Sequence, residues 1–67
     1  MITLTVNGQP QTLEAGASVA QLLQKMALSN RRLAVERNGE IVPRSRFGET
    51  PLASGDIVEI VMAVGGG

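Results

Sequence analysis

Apolar and polar positions alternate at the start of this chain. Ile2, Leu4 and Val6 are separated by Thr3 and Thr5, the period-two pattern of a strand with one buried face. Asn7-Gly8 follows, and both residue types tolerate the positive φ of a type I′ turn, so the chain is predicted to fold back on itself. Gln9 to Glu14 forms the return strand. Pro10 lacks a backbone donor, which places that strand at a sheet edge. The period then changes. Val19, Leu22, Leu23 and Met26 recur at helical spacing, and Ser18 with Gln21 three residues later makes a capping box at the start of that helix. About ten residues of helix are not stable alone, so the stripe must rest on a sheet.

Beyond the polar connector Ser29–Arg32, Leu33 to Arg37 reads as a third strand and Asn38-Gly39 as a second hairpin turn. Glu40 to Val42 is a short fourth strand closed by Pro43. From Arg44 to Ala53 the pattern fades into an irregular loop pinned by Phe47 and Leu52. Ser54-Gly55-Asp56 makes another turn. Ile57 to Val64 is the longest apolar run, broken only by Glu59, and reads as a central strand covered on both faces and parallel to the first. Ile2, Leu4, Val6, Leu13, the helix stripe, Val58, Ile60 and Met62 are the expected core.

Composition narrows the chemistry. The 67 residues make one domain near the lower size limit for a self-sufficient core. Six basic and six acidic residues cancel, and Phe47 is the only aromatic, so neither a nucleic acid nor a membrane surface is an expected partner. No apolar run is long enough to span a bilayer, the N-terminus lacks a secretion signal, and the expected compartment is the cytoplasm. Cysteine and histidine are both absent, which removes disulfides, zinc sites and Cys- or His-based catalysis. No bound cofactor or metal is expected. The remaining carboxylates, Lys25 and hydroxyls do not converge, so the chain reads as something other than an enzyme. Arg31 and Arg32 are read as solvated loop charges, and Arg44, Arg46 and Glu49 either line an interface or face solvent, with nothing in the sequence to choose between the two.

The distinctive chemistry lies in Gly65-Gly66-Gly67. Three glycines have no Cβ atoms and fit a channel too narrow for side chains. Fully extended they reach roughly 10 Å beyond the last strand. The Gly67 α-carboxylate is ionised at neutral pH, its reference pKa being about 3.3–3.7. The expected organisation is a folded domain over 1–64 and a flexible tail over 65–67. On the last strand Ile57, Glu59, Val61 and Ala63 share the face turned away from the helix and form the expected partner-docking surface. The alternative cover for that face is the chain's own loop, Arg44 to Ala53.

The order of elements resembles the α+β, ubiquitin-like β-grasp fold: a mixed sheet of about five strands, first and last adjacent and parallel, with one helix across a face. The resemblance is carried by the Asn7-Gly8 hairpin, Val35-Glu36-Arg37-Asn38, Ile41-Val42-Pro43, and Gly55-Asp56-Ile57-Val58-Glu59-Ile60 leading into Val64-Gly65-Gly66-Gly67. A domain of this size ending in Gly-Gly is similar to the ThiS-type sulfur carriers of thiamine biosynthesis.

That resemblance implies a mechanism. A ThiF-type adenylyltransferase joins the Gly67 carboxylate to AMP from ATP. A persulfide donor, such as a cysteine desulfurase or sulfurtransferase, then leaves a thiocarboxylate on Gly67. A ThiG-type thiazole synthase receives the sulfur. ATP belongs to the activating partner, and Gly65 is extra slack ahead of the functional pair Gly66-Gly67. Three other readings share these features: the MoaD-like small subunit of molybdopterin synthase, a ubiquitin-like protein modifier, and a non-carrier β-grasp interaction module.

Overall fold

Hydrogen bonding between the first and last strands defines the architecture. The computed structural model of the chain describes residues 1–63. Strands β1 (Ile2–Val6), β2 (Gln9–Leu13), β3 (Leu33–Arg37), β4 (Glu40–Val42) and β5 (Ile57–Met62) form one sheet in the order β2-β1-β5-β3-β4. β1 and β5 run parallel, with Thr5 opposite Ile57 and Val6 opposite Val58; the other pairs are antiparallel. β2 lies at an edge, where the missing N–H of Pro10 costs no ladder bond. Both hairpins turn on Asn-Gly as expected, with φ of 50° and 81° at Asn7 and Gly8, and 52° and 87° at Asn38 and Gly39.

The helix α1 (Val19–Lys25) starts at Ser18, whose Oγ accepts the Gln21 N–H at 3.2 Å while Gln21 Oε1 accepts the Ser18 N–H at 2.8 Å. It runs seven residues, shorter than its periodicity suggests. The reason is at its end, where Ala27 adopts a left-handed φ of 60°. There Leu28 N–H donates to Leu23 O at 2.8 Å and Ala27 N–H to Gln24 O at 3.1 Å. This Schellman pair closes the last turn and folds Leu28 back against the core. Met26, at the helix cap, is accordingly only partly buried.

Val19, Leu22 and Leu23 press on the inner face of the sheet, meeting Leu4, Val6, Leu13, Val35, Val58 and Ile60 in one cluster. Ile2 and Met62, expected in the core, are packed only against its margin. Val35 and Val42 join it instead, because the antiparallel pairing of β3 with β5 and β4 carries the inner face out to that edge, and Ala17 joins it ahead of the helix, where its carbonyl accepts the Leu52 N–H.

Two expectations need correction. The loop after Pro43 is partly ordered: Arg44–Glu49 form a 3₁₀ helix, started by Arg46 N–H donating to Pro43 O at 2.8 Å. Phe47 and Leu52 are its buried anchors, as expected. β5 is central but is not covered on both faces. Its burial alternates, with Val58 and Ile60 buried and Ile57 and Val61 56% and 62% exposed. Among the described residues one α-helix covers this sheet, and the segment from Arg44 docks against α1: Val19 N–H donates to Thr50 O at 3.0 Å and Leu52 N–H to Ala17 O at 2.8 Å. The loop therefore lies on the helix side, and the outer face stays open. No helix among the described residues is long and apolar enough to cross a membrane.

Candidate functional site

The glycines Gly65, Gly66 and Gly67 lie outside the described residues, but the strand that leads to them is held along its length. On one side β3 pairs with β5 from Arg37–Val58 to Leu33–Met62, and Ala63 N–H donates to Arg32 O at 2.9 Å, one residue beyond the strand. On the other side the β1 backbone bonds reach only as far as Asn7 N–H, which donates to Val58 O at 2.9 Å. The Asn7 side chain continues where that backbone stops. Its Nδ2 donates to Ile60 O at 3.1 Å and its Oδ1 accepts the Ile60 N–H at 2.7 Å.

A matching device holds the start of β5. Asn38 Oδ1 accepts the Ile57 N–H at 2.9 Å, and Asn38 Nδ2 donates to Asp56 Oδ1 at 3.0 Å. Asp56 Oδ2 accepts from Arg37 Nε and from the Ala53 N–H, each at 2.8 Å. Burial pushes the Asp56 carboxyl up. The bonds from Arg37, Asn38 and Ala53 and the Arg37 charge outweigh it, and the group is held below its ordinary value of 3.8. This one carboxylate ties the β3–β4 turn, the 53–56 turn and the β5 entry together. Side-chain bonds from Asn7, Asn38 and Asp56 thus hold the last strand at its entry and at Ile60.

The predicted docking residues Ile57, Glu59, Val61 and Ala63 are all exposed, and the alternation of β5 sets them off the helix side. Neighbouring strands extend the same face: Ala34 lies opposite Val61, Glu36 opposite Glu59, and Ile41 opposite Glu36. Arg31 and Arg32 are exposed beside the end of β5. Arg44 donates to Arg31 O at 3.0 Å and stands 6.0 Å from the Phe47 ring centroid, and Arg46 lies 4.0 Å from Glu49. Arg46 stays within the 3₁₀ segment, whereas Arg44 also lines a shallow groove with Arg32, Ala34, Val61 and Ala63 at the end of β5. No group of three metal-ligating side chains occurs among the described residues.

Sequence reasoning missed Asp56, Asn7 and Asn38 as anchors, reading them as turn formers alone. Their partners lie up to 53 positions away, and no local pattern announces them. Glu36 was within reach: alternation in β3 around Val35 sets it outward beside Ala34.

The sequence matches the ThiS family model over residues 4–67. The chain belongs to the ThiS family. It is 42% identical over 50 residues to the sulfur carrier protein ThiS of Bacillus subtilis, covering 75% of this chain and 76% of that protein. The crystal structure of the thiamine biosynthesis protein ThiS from Geobacter metallireducens superposes with a TM-score of 0.82 at 36% identity, covering 98% of this chain and 100% of that one. The β-grasp assignment thus rests on a ThiS relative of closely matching length. A thiazole synthase of Paramagnetospirillum magneticum is 41% identical over 64 residues, 96% of this chain. This chain spans only 20% of that protein's length, and 19% of a second thiazole synthase, from Magnetococcus marinus.

Proposed function

We propose that this ThiS-family chain carries sulfur for thiamine biosynthesis on the α-carboxylate of Gly67, acting as substrate and donor while its partners catalyse. A carboxylate oxygen attacks the α-phosphorus of ATP in the active site of a ThiF-type adenylyltransferase, and pyrophosphate leaves. The resulting acyl adenylate has a carbonyl carbon whose leaving group is AMP. The terminal sulfur of a protein persulfide attacks that carbon, AMP departs, and an acyl disulfide joins carrier to donor. A thiol reductant cleaves the S–S bond, returning the donor's thiol and leaving a thiocarboxylate on Gly67. Thiazole synthase takes that sulfur. Gly65 and Gly66 thread the partners' channels, and Ile57, Glu59, Val61 and Ala63 dock against the partner beside the channel mouth.

One observation carries the reading. β5 is held on both sides as far as Ile60 and from the β3 side through Ala63, and leaves one exposed, partly apolar face beside the approach to the glycines. A rigid base supports the reproducible placement that group transfer needs. The similarity to thiazole synthases favours thiazole over molybdopterin as the sulfur's destination.

Intact-mass measurement of the protein from its native host tests the proposal. The expected spectrum contains the mass of a chain ending at Gly67 and a second species heavier by one sulfur for one oxygen. A chain that continues beyond Gly67, or one that carries no such species when thiamine is withheld, overturns it. Lysine-linked adducts in place of the thiocarboxylate identify a protein modifier.

A further inference from the structure

Both Asn-Gly turns place a carboxamide next to an unhindered backbone nitrogen and, at the same time, tie that carboxamide down. Asn7, Gly8, Asn38 and Gly39 are all exposed, and the space a Cβ would fill at either glycine is empty out to 4 Å. Neither glycine N–H meets a backbone acceptor among the described residues. With no side chain of its own, such a glycine leaves its nitrogen open to the carboxamide carbon of the asparagine before it. Yet each carboxamide is bonded through both its oxygen and its nitrogen. Asn7 exchanges two bonds with Ile60 in the middle of β5. Asn38 accepts the Ile57 N–H at the start of β5 and donates to Asp56, one residue ahead of it. Closing a ring onto the glycine nitrogen requires the carboxamide to turn, so these bonds must break first. The seated last strand thus restrains two amides that solvent reaches freely.

We propose that Asn7 and Asn38 are sites of spontaneous deamidation, and that the seating of β5 sets the rate at each. The glycine nitrogen bonds to the asparagine Cγ, the Cγ–Nδ2 bond breaks, and ammonia leaves with the proton that the nitrogen gives up. Water then adds across either C–N bond of the succinimide ring, which yields aspartate or isoaspartate. Solvent is the only co-reactant. The products do not resume the old contacts. An aspartate at position 7 has no proton to donate to Ile60 O. An aspartate at position 38 sets a second carboxylate against Asp56 Oδ1, where the amide nitrogen stood at 3.0 Å, and like charges so close repel. Isoaspartate adds a backbone carbon inside a two-residue turn whose geometry sets the register of its strands. Each conversion therefore removes one side-chain hold on β5 for good. The chemistry is independent of what the glycines beyond Ala63 carry.

The test incubates the full-length chain in mildly alkaline buffer, with and without denaturing urea, and follows the replacement of NH by O at each asparagine by fragmenting the intact chain in a mass spectrometer. Asn7 and Asn38 are expected to convert at least about tenfold more slowly in the folded chain than in urea, because only locally opened molecules react. Asn30 is exposed too, but it precedes Arg31, whose side chain crowds the attacking nitrogen, and it should lag far behind both in urea. Asp56→Ala removes a partner of Asn38 and none of Asn7, and should speed conversion at Asn38 about tenfold more than at Asn7. Hydrogen exchange of the unaltered chain supplies a second measurement that needs no variant. The Ile57 and Ile60 N–H groups are held by the two carboxamide oxygens, so the faster-exchanging amide should mark the faster-converting asparagine. Conversion in the folded chain at the rate seen in urea, or the opposite ranking by exchange, overturns control by β5. Asn30 converting in urea as fast as the other two overturns the assignment of the Asn-Gly pairs as the reactive sites.

Discussion

The side-chain amide of Asn7 exchanges two hydrogen bonds with the backbone of Ile60, so a turn residue near the start of the chain fixes the strand near its end. Asn7 also sits at φ 50°, a region asparagine tolerates better than most residues. Asn7→Gly keeps the backbone permissive and removes only the amide, and should cost about 1–2 kcal/mol. Asn7→Ala adds the left-handed penalty, for about 2–4 kcal/mol in all. Urea unfolding of both variants checks this, and equal stability of Asn7→Gly and wild type would show the two bonds to be idle.

Ala27 offers the opposite kind of change. It occupies the left-handed position of the Schellman turn, where its Cβ is strained. Glycine removes that strain but gains freedom in the unfolded chain, which offsets part of the benefit. Ala27→Gly should stabilise the fold by about 0.5–1 kcal/mol, seen as a higher urea midpoint with an unchanged slope. A lower midpoint would mean that the turn bears no strain.

Asp56 makes stability depend on acidity. Its folded-state pKa lies below the ordinary 3.8, so the folded state favours the ionised form. The stabilisation is fully present above the unfolded-state value and is lost as pH falls through the lower, folded one. Asp56→Asn should cost about 1–3 kcal/mol at neutral pH and flatten the decline in stability below about pH 4. Unfolding curves across that range check both effects, and an undiminished acid decline in the variant would assign it to other carboxylates.

Val61 is 62% exposed on the open face. Val61→Asp should leave the melting temperature near that of wild type while lowering ATP–pyrophosphate exchange by the adenylyltransferase at limiting carrier concentration. If the variant unfolds, Val61 is part of the core after all.

The tail is tested by its length. Adding one alanine after Gly67 moves the carboxylate by roughly 3.5 Å and brings a Cβ into the channel. Deleting Gly67 withdraws it by a similar distance. Displacement of about 1 Å can cost on the order of 100-fold in rate, so exchange should collapse in both variants with melting unchanged. Gly66→Ala keeps the reach and adds one methyl, separating channel width from length. Appreciable exchange by the extended chain rules out the terminal-carboxylate mechanism.

The elements were legible because their signals are local. Asn-Gly turns, a capping box and period-two strands each declare themselves within a few residues, and β1, the hairpins and the helix start follow directly from them. The early end of α1 was not legible, since nothing in Met26-Ala27-Leu28 forbids another helical turn; docking Leu28 on the core decides it. The apolar run Ile57–Val64 was misleading for a related reason. Apolar residues on both faces of a strand mean burial only if something lies on each side, and here one side is left to a partner or to water. Asp56 belongs to the same class: its role is set by Arg37 and Asn38, which only the folded sheet brings near.

The parallel pairing of β1 with β5 has a practical side. With Val6 level with Val58, the chain's first strand begins far below the point where Ala63 leaves the sheet, a separation of about 30 Å at the usual rise per residue. Met1 and the approach to the glycines therefore stand at opposite poles. A fluorophore, a surface tether or a whole second domain joined ahead of Met1 hangs clear of the point where Ala63 leaves the sheet. The protein can be immobilised by its N-terminus and still leave the Ala63 end of the sheet facing solution.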